Sequence, residues 1–204
     1  MQRLWGGIVC AALVACGADE APDGPHALYL GQVSGTDAVV AFVVDERDGV
    51  VNSYACGGAT TYAELSRWFC GESTASGDGT WSFTKLEDTW VIDVLVDPAR
   101  VEGELTALDG TVYEVAATRV PDGSRTDLFG GSDLGGCATG AIVIDDGSAA
   151  DPRVQGTWCE EQDGARRYEQ VTPLLPRDYS ETHMQVSVEV DGVERQVILG
   201  RIRP

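Results

Sequence analysis

Lysine is almost absent from this 204-residue chain: Lys85 stands alone beside 13 arginines, against 33 acidic side chains and a formal net charge of −19. A polyanion is bound by clustered Lys and Arg that release its counterions, so this balance excludes nucleic acid as a partner. It points instead to a strongly solvated surface, to a cationic protein partner or to divalent ions. Histidine is scarce as well, with His26 and His183 only, and a Ser-His-acid hydrolase needs an imidazole beside its serine. The chain has no G-x-S-x-G elbow, no phosphate-binding P-loop and no G-x-G-x-x-G. It also lacks C-x-x-C, so its cysteines do not have zinc-finger spacing.

Carboxylates are abundant. Asp45 with Glu46, Asp145 with Asp146 and Glu160 with Glu161 are all adjacent pairs, but a chain this acidic produces such pairs by composition, so none stands out as an acid and base for glycoside hydrolysis. Asp145, Asp146 and Asp151 gather around a glycine, and Asp133 sits in a Gly-rich stretch. Neither segment follows the twelve-residue EF-hand pattern. These patterns single out no catalytic residue, no metal ligand and no cofactor.

Long apolar runs are missing too. The longest, eleven uncharged residues from Leu4 to Val14, follows a short n-region carrying Arg3. At about 1.5 Å per helical residue it reaches about 16 Å, roughly half of a hydrocarbon core. It has the length of an export leader. The leader ends in Leu13, Val14 and Ala15, then Cys16 and the small Gly17. "LVAC" resembles the lipobox of bacterial lipoproteins. The resemblance implies a signal peptide over 1–15, cleavage before Cys16, acylation of the Cys16 thiol and a membrane partner reached through that lipid. Two or three acyl chains hold a protein durably where one does not. The same resemblance implies, from Gly17 in place of an Asp, the outer membrane of the cell envelope where one exists. Residues 16–27, with Pro22 and Pro25, read as a tether.

Four cysteines follow: Cys56, Cys70, Cys137 and Cys159. An even count in an oxidising compartment predicts two disulfides. Of the three connectivities, Cys56 with Cys70 and Cys137 with Cys159 are the local ones. With Cys16 taken by lipid, this pairing leaves no thiol over.

Glycine and Asp-Gly punctuate the rest. Eight Asp-Gly dipeptides begin at 23, 48, 78, 109, 122, 146, 163 and 191, and the pair tolerates the positive φ of tight hairpins. Between them run alternating segments. Trp90, Ile92, Val94 and Val96 share a face; Val101, Leu105 and Ala107 oppose Tyr113, Val115 and Ala117 across Asp109-Gly110; and Val186, Val188 and Val190 lead through Asp191-Gly192 to Val197 and Leu199. "AVVAFVVD" is apolar on both faces and reads as a central strand. Only 60–69, with Tyr62, Leu65 and Phe69 at helical spacing, predicts a helix.

The expected fold is mostly β, an antiparallel meander sheet or small barrel over 28–120 with at most one short helix. A Gly/Asp-rich linker follows over 121–136, then a smaller β segment over 137–204. "AFVVDERDGVVNSYAC" and "AIVIDDGSAADPRVQGTWC" echo each other across that division. The four later tryptophans, Trp68, Trp81, Trp90 and Trp158, belong in a core or line a sugar or lipid pocket.

The expected function is a lipid-anchored envelope module that binds a ligand or partner without catalysis. Two alternatives stand beside it. "SYACGG" at 53–58 is similar to the opening of small acidic lipoproteins that inhibit lysozymes, which implies an inhibitor of a basic cell-wall hydrolase. The other is a hydrolase working through carboxylates.

Overall fold

The computed structural model describes residues 26–131, 137–147, 151–163, 165–173 and 182–203. Cys16, the leader and most of the tether lie outside the described residues.

The chain is mostly β, in two antiparallel sheets. The first contains β1 (His26–Val33), β2 (Val39–Asp45), β3 (Val50–Cys56), β4 (Arg67–Glu72), β5 (Thr74–Gly77), β6 (Thr80–Glu87), β7 (Trp90–Val96), β8 (Arg100–Thr106) and β9 (Val112–Arg119), with the one-turn helix α1 (Tyr62–Leu65) before β4. The second contains β10 (Asp127–Gly130), β11 (Gly140–Ile144), β12 (Arg153–Gln162), β13 (Ala165–Gln170), β14 (Thr172–Pro173), β15 (His183–Val190) and β16 (Val193–Arg201). The strand orders are β4-β3-β2-β1-β9-β8-β7-β6-β5 and β13-β12-β11-β10-β16-β15-β14.

The first sheet curls into a nearly closed up-and-down barrel. Its seam brings β4 beside β6, where a Cβ on Gly71 would touch Phe83 and Lys85 at 3.7 and 3.9 Å. Strong coiling of the strands needs glycine where backbones crowd. A Cβ on Gly31 would collide with the backbone of Ala116 and Ala117, and one on Gly103 with the Asp93 carbonyl. The interior is filled by Tyr29, Phe42, Phe69, Phe83, Ile92 and Leu105, each at most 1 % exposed. The second sheet, a half-barrel, gathers Phe129, Val143, Trp158, Met184, Val186 and Leu199 into its own core.

A third cluster joins the two. Val39, Ala41, Val43, Tyr54, Cys56, Trp68 and Cys70, on the outer face of β2 to β4, pack with Leu128, Ile142 and Ile202. This is why β2 is apolar on both faces: Val40, Phe42 and Val44 enter the barrel, while Val39, Ala41 and Val43 meet the other sheet. A Cβ on Gly140 would stand 2.6 Å from the Tyr54 ring and 2.9 Å from that of Trp68, so glycine is what lets the sheets approach there. Tyr54 and Trp68 stack with centroids 4.6 Å apart.

Three expectations are corrected. The helix predicted over 60–69 is one turn long, because Ser66 turns extended at φ −86° and ψ 105°, and Trp68 and Phe69 then alternate between the inter-sheet cluster and the barrel interior. Two-sided burial prevails over helical spacing. The linker predicted over 121–136 contains β10, whose four residues are all buried between β11 and β16; the described residues outside it, 121–126 and 131, are the connection, while 132–136 lie outside the described residues. His26 and Ala27, expected in the tether, open β1.

The cysteines also depart from expectation. Cys137 and Cys159 are bonded, their Cα atoms 5.4 Å apart, but the pairing of Cys56 with Cys70 does not form and Cys56 is a free, buried thiol. The register gives the reason. Cys70 lies opposite Asn52 on β3, four residues from Cys56, which at about 3.3 Å per strand residue is twice the span a disulfide bridges. Cys70 is disulfide-bonded, with a partner other than Cys56. The even count therefore no longer supports a lipid on Cys16, and that expectation rests on the leader and "LVAC" alone.

Candidate binding cleft at the barrel mouth

The two ends of the barrel differ. At one end the backbone of the β2–β3 turn carries Gly49 directly beneath the Trp81 ring, where a side chain would collide. Nearby, Tyr29 donates to the Asp97 carbonyl at 3.0 Å and Arg119 grips Glu46 at 2.6 Å. That end is plugged.

At the other end the inward positions finish in Trp90 on β7 and Tyr113 on β9, above a floor of Ile92 and Leu105, which are 0 % and 1 % exposed. The two rings lie nearly parallel, 18° apart with centroids at 6.3 Å. With Ala63 and Glu64 of α1, Arg67 of β4, and Ala107, Leu108 and Asp109 of the β8–β9 turn, they line an open cleft of about 440 Å³. Barrel mouths are a habitual place for ligands, since strands fix the walls while turns vary. Here a large apolar side chain, Leu108, stands 73 % exposed at the rim.

Arg67 is the keystone of the wall. Its guanidinium lies 5.5 Å from the Trp90 ring centroid and 5.7 Å from that of Tyr168 on β13. Nη1 donates to the Tyr168 hydroxyl and to the Ser66 carbonyl, both at 3.0 Å. Cation–π contacts of this kind contribute about 0.5–2 kcal/mol each. The neighbouring β6–β7 turn holds Asp88 and Thr89 at positive φ, and Asp88 accepts both arms of Arg166 from β13. The second sheet thus buttresses the cleft through Tyr168 and Arg166.

The Thr111 backbone N–H donates to Asp109 at 2.9 Å and, as the leading cause, lowers its pKa below the ordinary carboxylate value. Asp109 therefore stays ionised at neutral pH, which suits an acceptor and not a general acid. The Glu64 carboxylate and the Tyr113 hydroxyl have no hydrogen-bond or ion-pair partner among the described residues.

A second concavity, about 120 Å³, lies between the sheets at the plugged end and is lined by His26, Arg119, Asp127, Arg201 and Arg203, among others. Its charges are spoken for. Arg201 pairs with Asp127, which is 7 % exposed, and Arg203 approaches the same carboxylate at 4.0 Å.

Among the described residues, the remaining sequence candidates do not join the cleft. Trp68 and Trp158 are 7 % exposed and belong to cores. Cys56 lies in a buried polar knot where Ser66 donates to Thr157 at 2.8 Å and the thiol sits 3.9 Å from the Thr157 hydroxyl. The Tyr54 hydroxyl is buried beside it without a well-formed hydrogen bond. Burial pushes the Cys56 thiol up to about 12, which removes its nucleophilicity. Asp145 is held as a carboxylate by Arg125 at 3.0 and 3.1 Å, and Asp133 lies outside the described residues. His183 is exposed beside Thr182. The "SYACGG" segment is buried throughout, so its likeness to inhibitor lipoproteins offers no surface to an enzyme.

None of these signals separated Trp90 from the other tryptophans in the sequence. What distinguishes it is its position as the last inward residue of β7 at the unplugged end. The fold and cleft define a class: a β barrel with a half-barrel packed on its side and an aromatic mouth. No family model, curated protein or solved structure matches the chain.

Proposed function

We propose that the chain is a lipid-anchored envelope module, held by Cys16, that binds a ligand non-enzymatically at the barrel mouth. One observation supports the reading most: the Trp90–Tyr113 cleft, open at one end of an otherwise filled barrel and braced from behind by Arg67, Tyr168 and Arg166. Asp109, held at the rim by the Thr111 N–H at 2.9 Å, offers a ligand a hydrogen-bond acceptor. The anchor is supported by the leader and the lipobox-like "LVAC".

Each half has its own experiment. Mass spectrometry of the mature N-terminus is expected to find acylated Cys16, and an unmodified start elsewhere overturns the anchor. A photoreactive residue at position 108 in intact cells is expected to give adducts that disappear with Trp90→Ala. Adducts from position 47 at the plugged end, and none from 108, overturn the placement of the site.

A further inference from the structure

We infer that the ligand of the mouth is a neutral saccharide, its ring lying on the Trp90–Tyr113 surface; this rests on the reading of the mouth as a binding site. The argument is one of charge and shape. An anionic ligand would face the Glu64 and Asp109 carboxylates within the cleft and a body whose formal charge is −19. A cationic ligand would meet the like charge of the Arg67 guanidinium, which lines the same cleft 5.5 Å from the Trp90 ring centroid. An acyl chain needs a deep apolar channel, and the barrel beneath the mouth is filled by Phe42, Phe69, Phe83 and Ile92, each at most 1 % exposed.

What the mouth does offer is amphiphilic. Two nearly parallel aromatic rings and Leu108 give an apolar surface. Around it stand hydrogen-bonding groups not committed within the described protein, the Glu64 carboxylate and the Tyr113 hydroxyl. A pyranose has the same division, with C–H faces that lie on aromatic rings and an equator of hydroxyls that both donate and accept. The volume of about 440 Å³ accommodates one or two rings in an open cleft, so an oligomer would extend past Leu108 into solvent.

The test is titration of the full mature chain in detergent, read by tryptophan fluorescence. The probes are neutral tetrasaccharides of glucose, N-acetylglucosamine and xylose, the anionic tetramer of galacturonate, and choline with hexa-lysine as cations. A neutral tetrasaccharide is expected to saturate, with at least a tenfold loss on Trp90→Ala and a several-fold loss on Leu108→Asp. The second variant alters a side chain that is 73 % exposed and so leaves folding intact. If no neutral sugar saturates while an anionic or cationic probe does so in a Trp90-dependent way, the saccharide inference falls and the binding site stands. If no probe responds and position 108 yields no adduct in cells, both fall.

Discussion

The barrel and the half-barrel follow one strand order. Read from its edge, the second sheet runs β13-β12-β11-β10-β16-β15-β14, and the first runs β4-β3-β2-β1-β9-β8-β7 before continuing to β6 and β5. The two extra strands make the difference. They carry the first sheet round to its own edge, fill its interior with Phe83, and place the β6–β7 turn at the mouth. The shorter sheet stops half-way and instead lends Tyr168 and Arg166 to its neighbour. One topology, at two lengths, yields a site in one case and its support in the other.

If the shared cluster of Tyr54, Trp68, Leu128 and Ile142 couples the sheets, they unfold together. The largest effects test this. Phe83→Ala in the barrel and Trp158→Ala in the half-barrel each remove a large core ring, at a cost of about 3–5 kcal/mol. Urea unfolding followed by both circular dichroism and fluorescence is expected to show one transition, moved by either substitution. Two transitions, each sensitive to only one variant, would break the sheets into independent units.

Next in size is the Cys137–Cys159 disulfide of the half-barrel. Replacing Cys137 and Cys159 by Ala opens a loop of sequence separation 22, worth roughly 3 kcal/mol in the loop-entropy account. In a coupled molecule the whole transition shifts to lower urea. Gly140→Ala acts at the contact itself, wedging a methyl against Tyr54 and Trp68 for about 1–3 kcal/mol of overpacking. Alkylation of the buried Cys56 at pH 8 is the local readout. It is expected to be slow in the native protein and to accelerate in Gly140→Ala, and an unchanged rate would show that the sheets yield without parting.

Much of this was legible from sequence, for identifiable reasons. Hairpins at Asp78, Asp163 and Asp191 follow from Asp-Gly chemistry, and all three aspartates adopt positive φ. The hidden turn is Asp88-Thr89, where a β-branched residue takes a positive φ that no propensity rule selects. β10 was obscured because its residues, Asp127 to Gly130, sit in a Gly/Asp-rich stretch while its burial comes from β11 and β16 on either side. The cleft was not legible, since it joins residues 63 to 113 with Tyr168 through barrel closure and sheet packing, both of them tertiary.

The echo between "AFVVD" and "AIVID" is the finest point of the comparison. Asp45 ends β2, Asp145 directly follows β11, and the two turn the chain alike: Asp45 accepts from Arg47 N at 2.7 Å, and Asp145 from Gly147 N at 3.1 Å. The cysteines of the echo are not equivalent, because Ala41 faces Tyr54 while Ala141 faces Gly156. The aspartates differ in strength too. Burial tends to raise Asp45, and the N–H groups of Arg47 and Asp48 outweigh it to leave a lowered value; Arg125 leads in holding Asp145 down at about 2. A carboxyl lowered by folding stabilises the protein fully above its unfolded value near 3.8, and loses that contribution as pH falls toward its folded value. Between pH 4 and 2, the melting temperature of the native chain is therefore expected to drop with a slope that Asp145→Asn flattens more than Asp45→Asn. Thermal melts across that range check it, and equal flattening by the two variants would mean that the Arg125 clamp adds nothing to the turn that both hairpins share.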